Sequence, residues 1–184
     1  IKMGFGIMGT AGGIALAKLT DGIKDSMKEF ASFQDIMLQV KSGTGSTDEE
    51  MKQLSDRARE LGASTRFSAT EMAQAQKYYG MAGYNAKQIN EALKPTADLA
   101  SASGEDLALV ADIVSDTMTA FKLGAEETER FADILSATSN ASNTSVAMMG
   151  ETFKYVAPAA QALGVSIEES AKYIGILANK FTFH

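Results

Sequence analysis

Glycine recurs at an almost constant interval through this chain, and that interval constrains the fold more than any other feature. Gly62, Gly83, Gly104, Gly124 and Gly164 are separated by 21, 21, 20 and 40 residues, with Asn143 near the missing midpoint. Gly or Asn just after a helix supplies the left-handed residue that ends it. A start signal stands with each stop. Thr47 precedes Glu50 by three residues, as Ser68 precedes Glu71, Asn85 precedes Gln88, Ser103 precedes Asp106 and Ser166 precedes Glu169. The first side chain can accept from a free N–H of the first turn, and the acid or amide can return a bond to the cap's own N–H. The period of about 20 residues is then one helix plus its turn, and helix pairs form units of about 40. The side chains themselves do not repeat.

The apolar positions agree with this punctuation. Met51, Leu54, Ala58 and Leu61 share one helical face, as do Leu107, Val110, Val114, Met118 and Phe121. Phe131, Ile134, Leu135 and Thr138 follow the same 3.6-residue period, and so do Met149, Phe153, Val156, Ala160 and Leu163. No stretch alternates apolar and polar residues with β-branched enrichment, so an all-α fold without strands is expected. Pro95 and Pro158, the two prolines, are expected to start a helical turn within 86–102 and to kink a helix, since neither has an N–H to donate.

The first long helix differs. Leu16, Leu19, Ile23, Met27, Phe30, Phe33, Met37 and Val40 are spaced 3, 4, 4, 3, 3, 4 and 3. Their mean of about 3.4 residues is closer to a coiled-coil seam than to a free amphipathic helix. These eight residues are the candidate self-association surface. The competing reading is a helix that folds back on its own domain.

Composition removes most catalytic classes. There is no Cys, and the one histidine is His184 at the last position. Thiolate metal sites, cysteine nucleophiles, histidine triads and multi-histidine metal sites therefore lack their parts. A net charge of −6 argues against a general nucleic-acid surface, which depends on Lys and Arg meeting phosphates. Gly4-Phe5-Gly6-Ile7-Met8-Gly9 matches a dinucleotide-loop pattern, but no strand precedes it and no βαβ alternation follows. Ser42 to Thr47 is Gly-rich without the Lys of a phosphate loop, and reads as a linker. Glu49/Glu50, Glu105/Asp106, Glu126/Glu127 and Glu168/Glu169 could suggest acid–base pairs. All four sit in expected first turns, where negative charge offsets the helix dipole, and that accounts for all of them together. The ten Met residues mostly fall on the apolar stripes and read as core. Phe67, Tyr78, Tyr79 and Tyr84 have too little positive charge nearby for a base-stacking platform. No cofactor and no metal site is expected.

Residues 3–17 form an uncharged run of 15, five of them Gly. A spanning helix needs about 20 apolar residues. The run loosely fits a signal peptide, but no Cys-bearing or strand-rich domain follows it. It is expected to be a flexible entry into the next helix. A membrane-active or pore-forming helical protein using this run remains the alternative.

The order of the punctuation also carries a family resemblance. Gly62-Ala63-Ser64-Thr65-Arg66-Phe67-Ser68-Ala69-Thr70-Glu71-Met72-Ala73 resembles the central segment of phage tail tape measure proteins, as does Met81-Ala82-Gly83-Tyr84-Asn85-Ala86-Lys87-Gln88-Ile89. Phe121-Lys122-Leu123-Gly124-Ala125-Glu126 and Ala132-Asp133-Ile134-Leu135 continue the likeness. Gly164-Val165-Ser166-Ile167-Glu168-Glu169 and Ile174-Gly175-Ile176-Leu177-Ala178-Asn179 complete it, over residues 33 to 179. Each motif alone is helix punctuation; their order and spacing make the match specific. The resemblance implies a structural, non-enzymatic part of a protein that acts in tail assembly, sets tail length and leaves the tube when DNA is delivered. It implies a place in the virion tail, and in the bacterial host cytoplasm during assembly. Implied partners are further copies of itself, tail tube and tail tip or hub proteins, with a transient membrane contact and no specific nucleic acid.

The expected organisation is a Gly-rich flexible segment at 1–15, a long self-associating helix at 16–42 and a linker at 43–47. A compact array of short helical hairpins follows at 48–179, then a truncated tail at 180–184. The chain starts at Ile1 and is expected to be a piece of something longer.

Overall fold

The computed structural model describes the backbone of residues 9–181 and the side chains of residues 26–180. Among the described residues, eight α-helices span Gly9–Thr44 (α1), Asp48–Ser64 (α2), Ala69–Met81 (α3), Ala86–Ser103 (α4), Leu107–Phe121 (α5), Thr128–Ala141 (α6), Val146–Ala162 (α7) and Ile167–Phe181 (α8). A single 3-10 turn, Ala125–Glu127, leads into α6, and the described residues contain no strand. The fold is all-α.

The helices stack in two layers. In one, α1 packs on α3, α3 on α5 and α5 on α7; in the other, α2 packs on α4, α4 on α6 and α6 on α8. Helices next to each other in sequence touch across the layers, so each hairpin rests on the one before it. This is a short solenoid-like array with a repeat of two helices. One continuous core runs through it, with Leu54, Tyr79, Leu93, Leu107, Val114, Leu135 and Phe153 all fully buried.

The helix starts follow the expected chemistry. Thr47, Ser68 and Asn85 cap α2, α3 and α4 in complete reciprocal boxes. Ser166 and Glu169 exchange the same two bonds at the start of α8, each at 3.2 Å. One expected box fails. Ser103 ends α4, and Asp106 is itself the cap of α5, accepting from the Leu109 N–H at 2.9 Å. Ser145, which forms no box, caps α7 by accepting from the Met148 N–H.

Three glycine stops behave as expected. Gly83, Gly104 and Gly164 have φ of 90°, 75° and 72°. The other breaks do not. At the end of α5 the left-handed residue is Lys122, φ 57°, two positions before Gly124. Asn143 has no positive φ; α6 ends in extended backbone at Ser142. Gly62 lies inside α2, where a Cβ would stand 2.6 Å from the Ala69 backbone nitrogen. It is there because α3 begins against it. Gly150 is a similar case, since its Cβ would fall 2.5 to 2.9 Å from three Ile113 side-chain atoms. Small residues in α7 thus let it approach α5 closely.

Several boundaries move. The α1 helix begins at Gly9 and runs to Thr44, taking in part of both the expected Gly-rich segment and the expected linker. Its last third belongs to the core. Pro95 and Pro158 lie within α4 and α7, which continue through them. Along α7 the expected stripe holds for Met149 and Phe153, but Ala157 is buried in place of Val156, and Leu163 is 80% exposed.

Candidate interaction surfaces

The end of α1 docks by a glycine contact. A Cβ on Gly43 would meet the Gly80 backbone at 3.4 Å, and one on Gly80 would meet the Thr44 methyl at 3.1 Å. With neither side chain present, α1 lies close along α3, and Phe33, Ile36, Met37 and Val40 fill the space between them and α2. The guanidinium of Arg59 covers the Phe33 ring at 5.1 Å.

The expected eight-residue seam is therefore not one surface. Phe33, Met37 and Val40 are buried in the chain's own core and cannot meet a second copy. The fold-back reading holds for this third of the helix, because a stripe of period 3.6 and a seam of period 3.5 diverge little over two turns. Met27 and Phe30 lie on the same stripe, beyond the edge of the core, and are 67% and 61% exposed. A shallow hollow of about 390 Å³, lined by Ser26, Glu29, Phe30, Phe33, Arg59 and Ala69, opens beside them. The side chains of Leu16, Leu19 and Ile23 lie outside the described residues, as do residues 1–8 and His184.

A second apolar surface lies at the opposite end and was not read from the sequence. On α7 and its C-cap, Met148, Tyr155, Val156 and Leu163 are all exposed, Tyr155 by 82%. Their spacing of 7, 1 and 7 puts them on one stripe, separate from the buried stripe of Met149, Phe153 and Ala157. On α8, Tyr173, Ile176 and Leu177 are exposed while Ile167, Ala171 and Ile174 face inward. A hollow of about 380 Å³ between α6 and α8, lined by Ile134, Thr138, Gly175 and Ile176 among others, borders this surface. The sequence signal was available: α7 and α8 carry more apolar positions than one buried stripe can use.

Charged groups serve the scaffold. Arg66 donates through Nη2 to the carbonyls of Ala100 and Glu105, each at 3.0 Å, and stacks on Phe67. It places a positive charge where the end of α4 leaves carbonyls open. Glu105 accepts from the Ala147 N–H at 3.1 Å, so the α4–α5 turn also caps α7. Arg130 bridges α6 and α8 by pairing with both Glu127 and Glu168. The acidic doublets thus stand at helix starts, as the dipole argument expects.

Titration follows local geometry. The Thr47 N–H and hydroxyl donate to Glu50 and hold its carboxyl below the usual range. Lys41 does the same for Asp48. Partial burial, then the neighbouring Asp116, pushes Asp112 up. Burial pushes the Tyr79 phenol well above its ordinary value, and its hydroxyl is bonded to Thr96, which in turn donates to the Ala92 carbonyl. Among the described residues no three of His, Cys, Asp and Glu gather to hold a metal. No described helix is long and apolar enough to cross a membrane.

Comparison with known proteins places this array. Residues 55–183 match the family model of phage-related minor tail proteins. The chain is 36% identical over 154 residues to a tape measure protein of Pneumococcus phage Dp-1, an alignment covering 84% of this chain and 13% of the relative. It is 34% identical over 173 residues to a probable tape measure protein of Escherichia phage P2, covering 92% of this chain and 21% of the relative. The chain thus spans a minor part of the length of both relatives. No solved structure matches it.

Proposed function

Since this chain belongs to the phage tail tape measure protein family, we propose that it is a structural segment of a longer tail protein that acts in tail assembly, tail length determination and DNA delivery. One observation carries the reading. The matched region, 55–183, takes in the stacked hairpins from within α2 through α8, and their polar groups are engaged in caps and interhelical ties. In this reading the segment catalyses nothing and works in the virion tail, meeting tail tube and tail tip or hub proteins. An in-frame deletion of residues 48–181 in the phage gene is expected to abolish normal tails under the electron microscope. Infectious particles with tails of unchanged length would overturn the reading.

Self-association belongs to the part of α1 ahead of Phe33. Leu16, Leu19, Ile23, Met27 and Phe30 continue the apolar stripe past the core, at a spacing suited to a neighbouring helix. Copies running side by side would cover it. Light scattering is expected to give a lower mass for the Ile23→Asp, Phe30→Asp variant than for the unaltered chain. Equal masses would remove this association.

A further inference from the structure

We propose that the stretch of the full-length protein directly after His184 forms a further helical hairpin on the α7–α8 face, which makes that face an internal junction of the stack. The observation behind this is a register shared by the helices of both layers. Two contacts show where the seventh and eleventh residues of a helix point. The seventh residue of α5 is Ile113, whose side chain lies where a Cβ on Gly150 of α7 would fall. The eleventh residue of α6 is Thr138, whose methyl stands 3.0 Å from the Cβ position of Gly175 on α8. Both therefore face the hairpin that comes next. In α3, α4 and α5 the seventh and eleventh residues are Ala75 and Tyr79, Ala92 and Thr96, and Ile113 and Thr117, none more than 4% exposed. In α8 they are Tyr173 and Leu177, 57% and 52% exposed, and the eleventh residue of α7 is Val156, 37% exposed. The positions closed inside the stack are the ones that open on α7 and α8, and apolar residues hold them. That is the flank a further repeat in the same register would use.

The occupant follows from spacing and connection. The starts of α3, α5 and α7, at Ala69, Leu107 and Val146, are 38 and 39 residues apart, which sets the next start at about residue 185. Residues 142–145 alone join α6 to α7, so a loop of similar length brings a helix from the end of α8 to the open flank of α7. Both relatives extend far beyond the aligned part, which is 13% of one and 21% of the other. A hairpin joined by a short loop meets the face at a high effective concentration and loses no translational freedom of its own, whereas a second copy does. The register also describes the new helix. The fourth residues of α3, α5 and α7 are Met72, Val110 and Met149, and the fifth are Ala73, Ala111 and Gly150, all buried. The next helix is expected to set an equally small fifth residue against Thr152, the seventh of α7.

Neither the tail role nor association through α1 enters this assignment. The phage gene is expected to continue past His184 with a helical segment that has an apolar fourth and a small fifth residue. A reading frame that stops there, or continues in a proline-rich or uniformly charged stretch, would overturn the proposal. In the full-length protein, maleimide labelling of Val156→Cys, Leu177→Cys and Tyr155→Cys, one at a time, is read by peptide mass. Tyr155 is the tenth residue of α7, where α5 carries the exposed Asp116, so it serves as the open control. The first two sites are expected to react at least tenfold more slowly than the third, at rates unchanged by hundredfold dilution. Equal rates at all three sites would sink the proposal, and so would protection lost on dilution, which marks a second copy. In the unaltered full-length protein, amides of residues 170–180 are expected to exchange as slowly as those of 131–141. Exchange at least tenfold faster in 170–180 would count against a covering hairpin with no substitution involved.

Discussion

Helices α5 and α7 are neighbours in the same layer, with 15 and 17 residues, yet they meet water differently. On α5, packed between α3 and α7, eight residues are buried and the exposed positions include Asp116 and Thr119. On α7, packed on one flank, five are buried and Met148, Tyr155 and Val156 are open. Both helices are rich in apolar residues, so the difference lies in the number of neighbours. A helix between two neighbours buries both apolar flanks, and α7, with one described neighbour in its layer, leaves one flank exposed.

The sharpest test of this comparison lies within α7. Phe153 is fully buried, edge-on to Phe121 and Phe131 at centroid distances of 6.0 and 6.1 Å. Urea unfolding of Phe153→Ala is expected to show a loss of about 3–5 kcal/mol. Tyr155→Ala, two residues away on the open face, is expected to stay within about 0.5 kcal/mol. Equal losses would mean the two faces are not distinct.

A smaller effect tests the contact between the two helices. Gly150→Ala is expected to cost about 1–3 kcal/mol, since the new methyl overlaps the Ile113 side chain. Ile113→Ala in the same chain should restore part of that, giving a non-additive pair. Additive losses would place the strain elsewhere.

The smallest effect is electrostatic. Burial, then Asp116, raises the Asp112 carboxyl on the solvent side of α5. A carboxyl raised in the folded state opposes folding once ionised, so this penalty is absent below its ordinary range near 3.8 and grows as pH rises through the folded value. Asp112→Asn is therefore expected to be slightly more stable than the unaltered chain at pH 7, with the difference vanishing below about pH 4. A difference that persists at low pH would trace to packing rather than charge.

Capping was legible because it is local. The Thr47, Ser68, Asn85 and Ser166 boxes join residues three apart, and the geometry of one turn makes them meet. Asp106 was misread for the same reason: Ser103 sits at the same offset from Asp106 as a box residue would, and only the position of Gly104 decides which residue starts α5. Half of the α1 surface was also legible. Its spacing marked a partner-seeking stripe, but a spacing does not say whether the partner is α3 or another copy, and for Phe33, Met37 and Val40 it is the chain's own core. The α7–α8 face went unseen because a second stripe on a helix reads as ordinary core.

From residue order alone came the helical class, the short turns, most of the caps and the pairing of helices into units of about 40 residues. These depend on backbone hydrogen bonds and side chains within a turn of each other. Packing in three dimensions decided the rest: that Gly62 serves close approach rather than termination, that Gly80 and Gly150 let helices meet closely, that the end of α1 is interior, and that α7 and α8 each leave an apolar stripe exposed. Those outcomes depend on which surfaces are brought within contact distance from 20 to 40 residues away, and no local pattern encodes that distance.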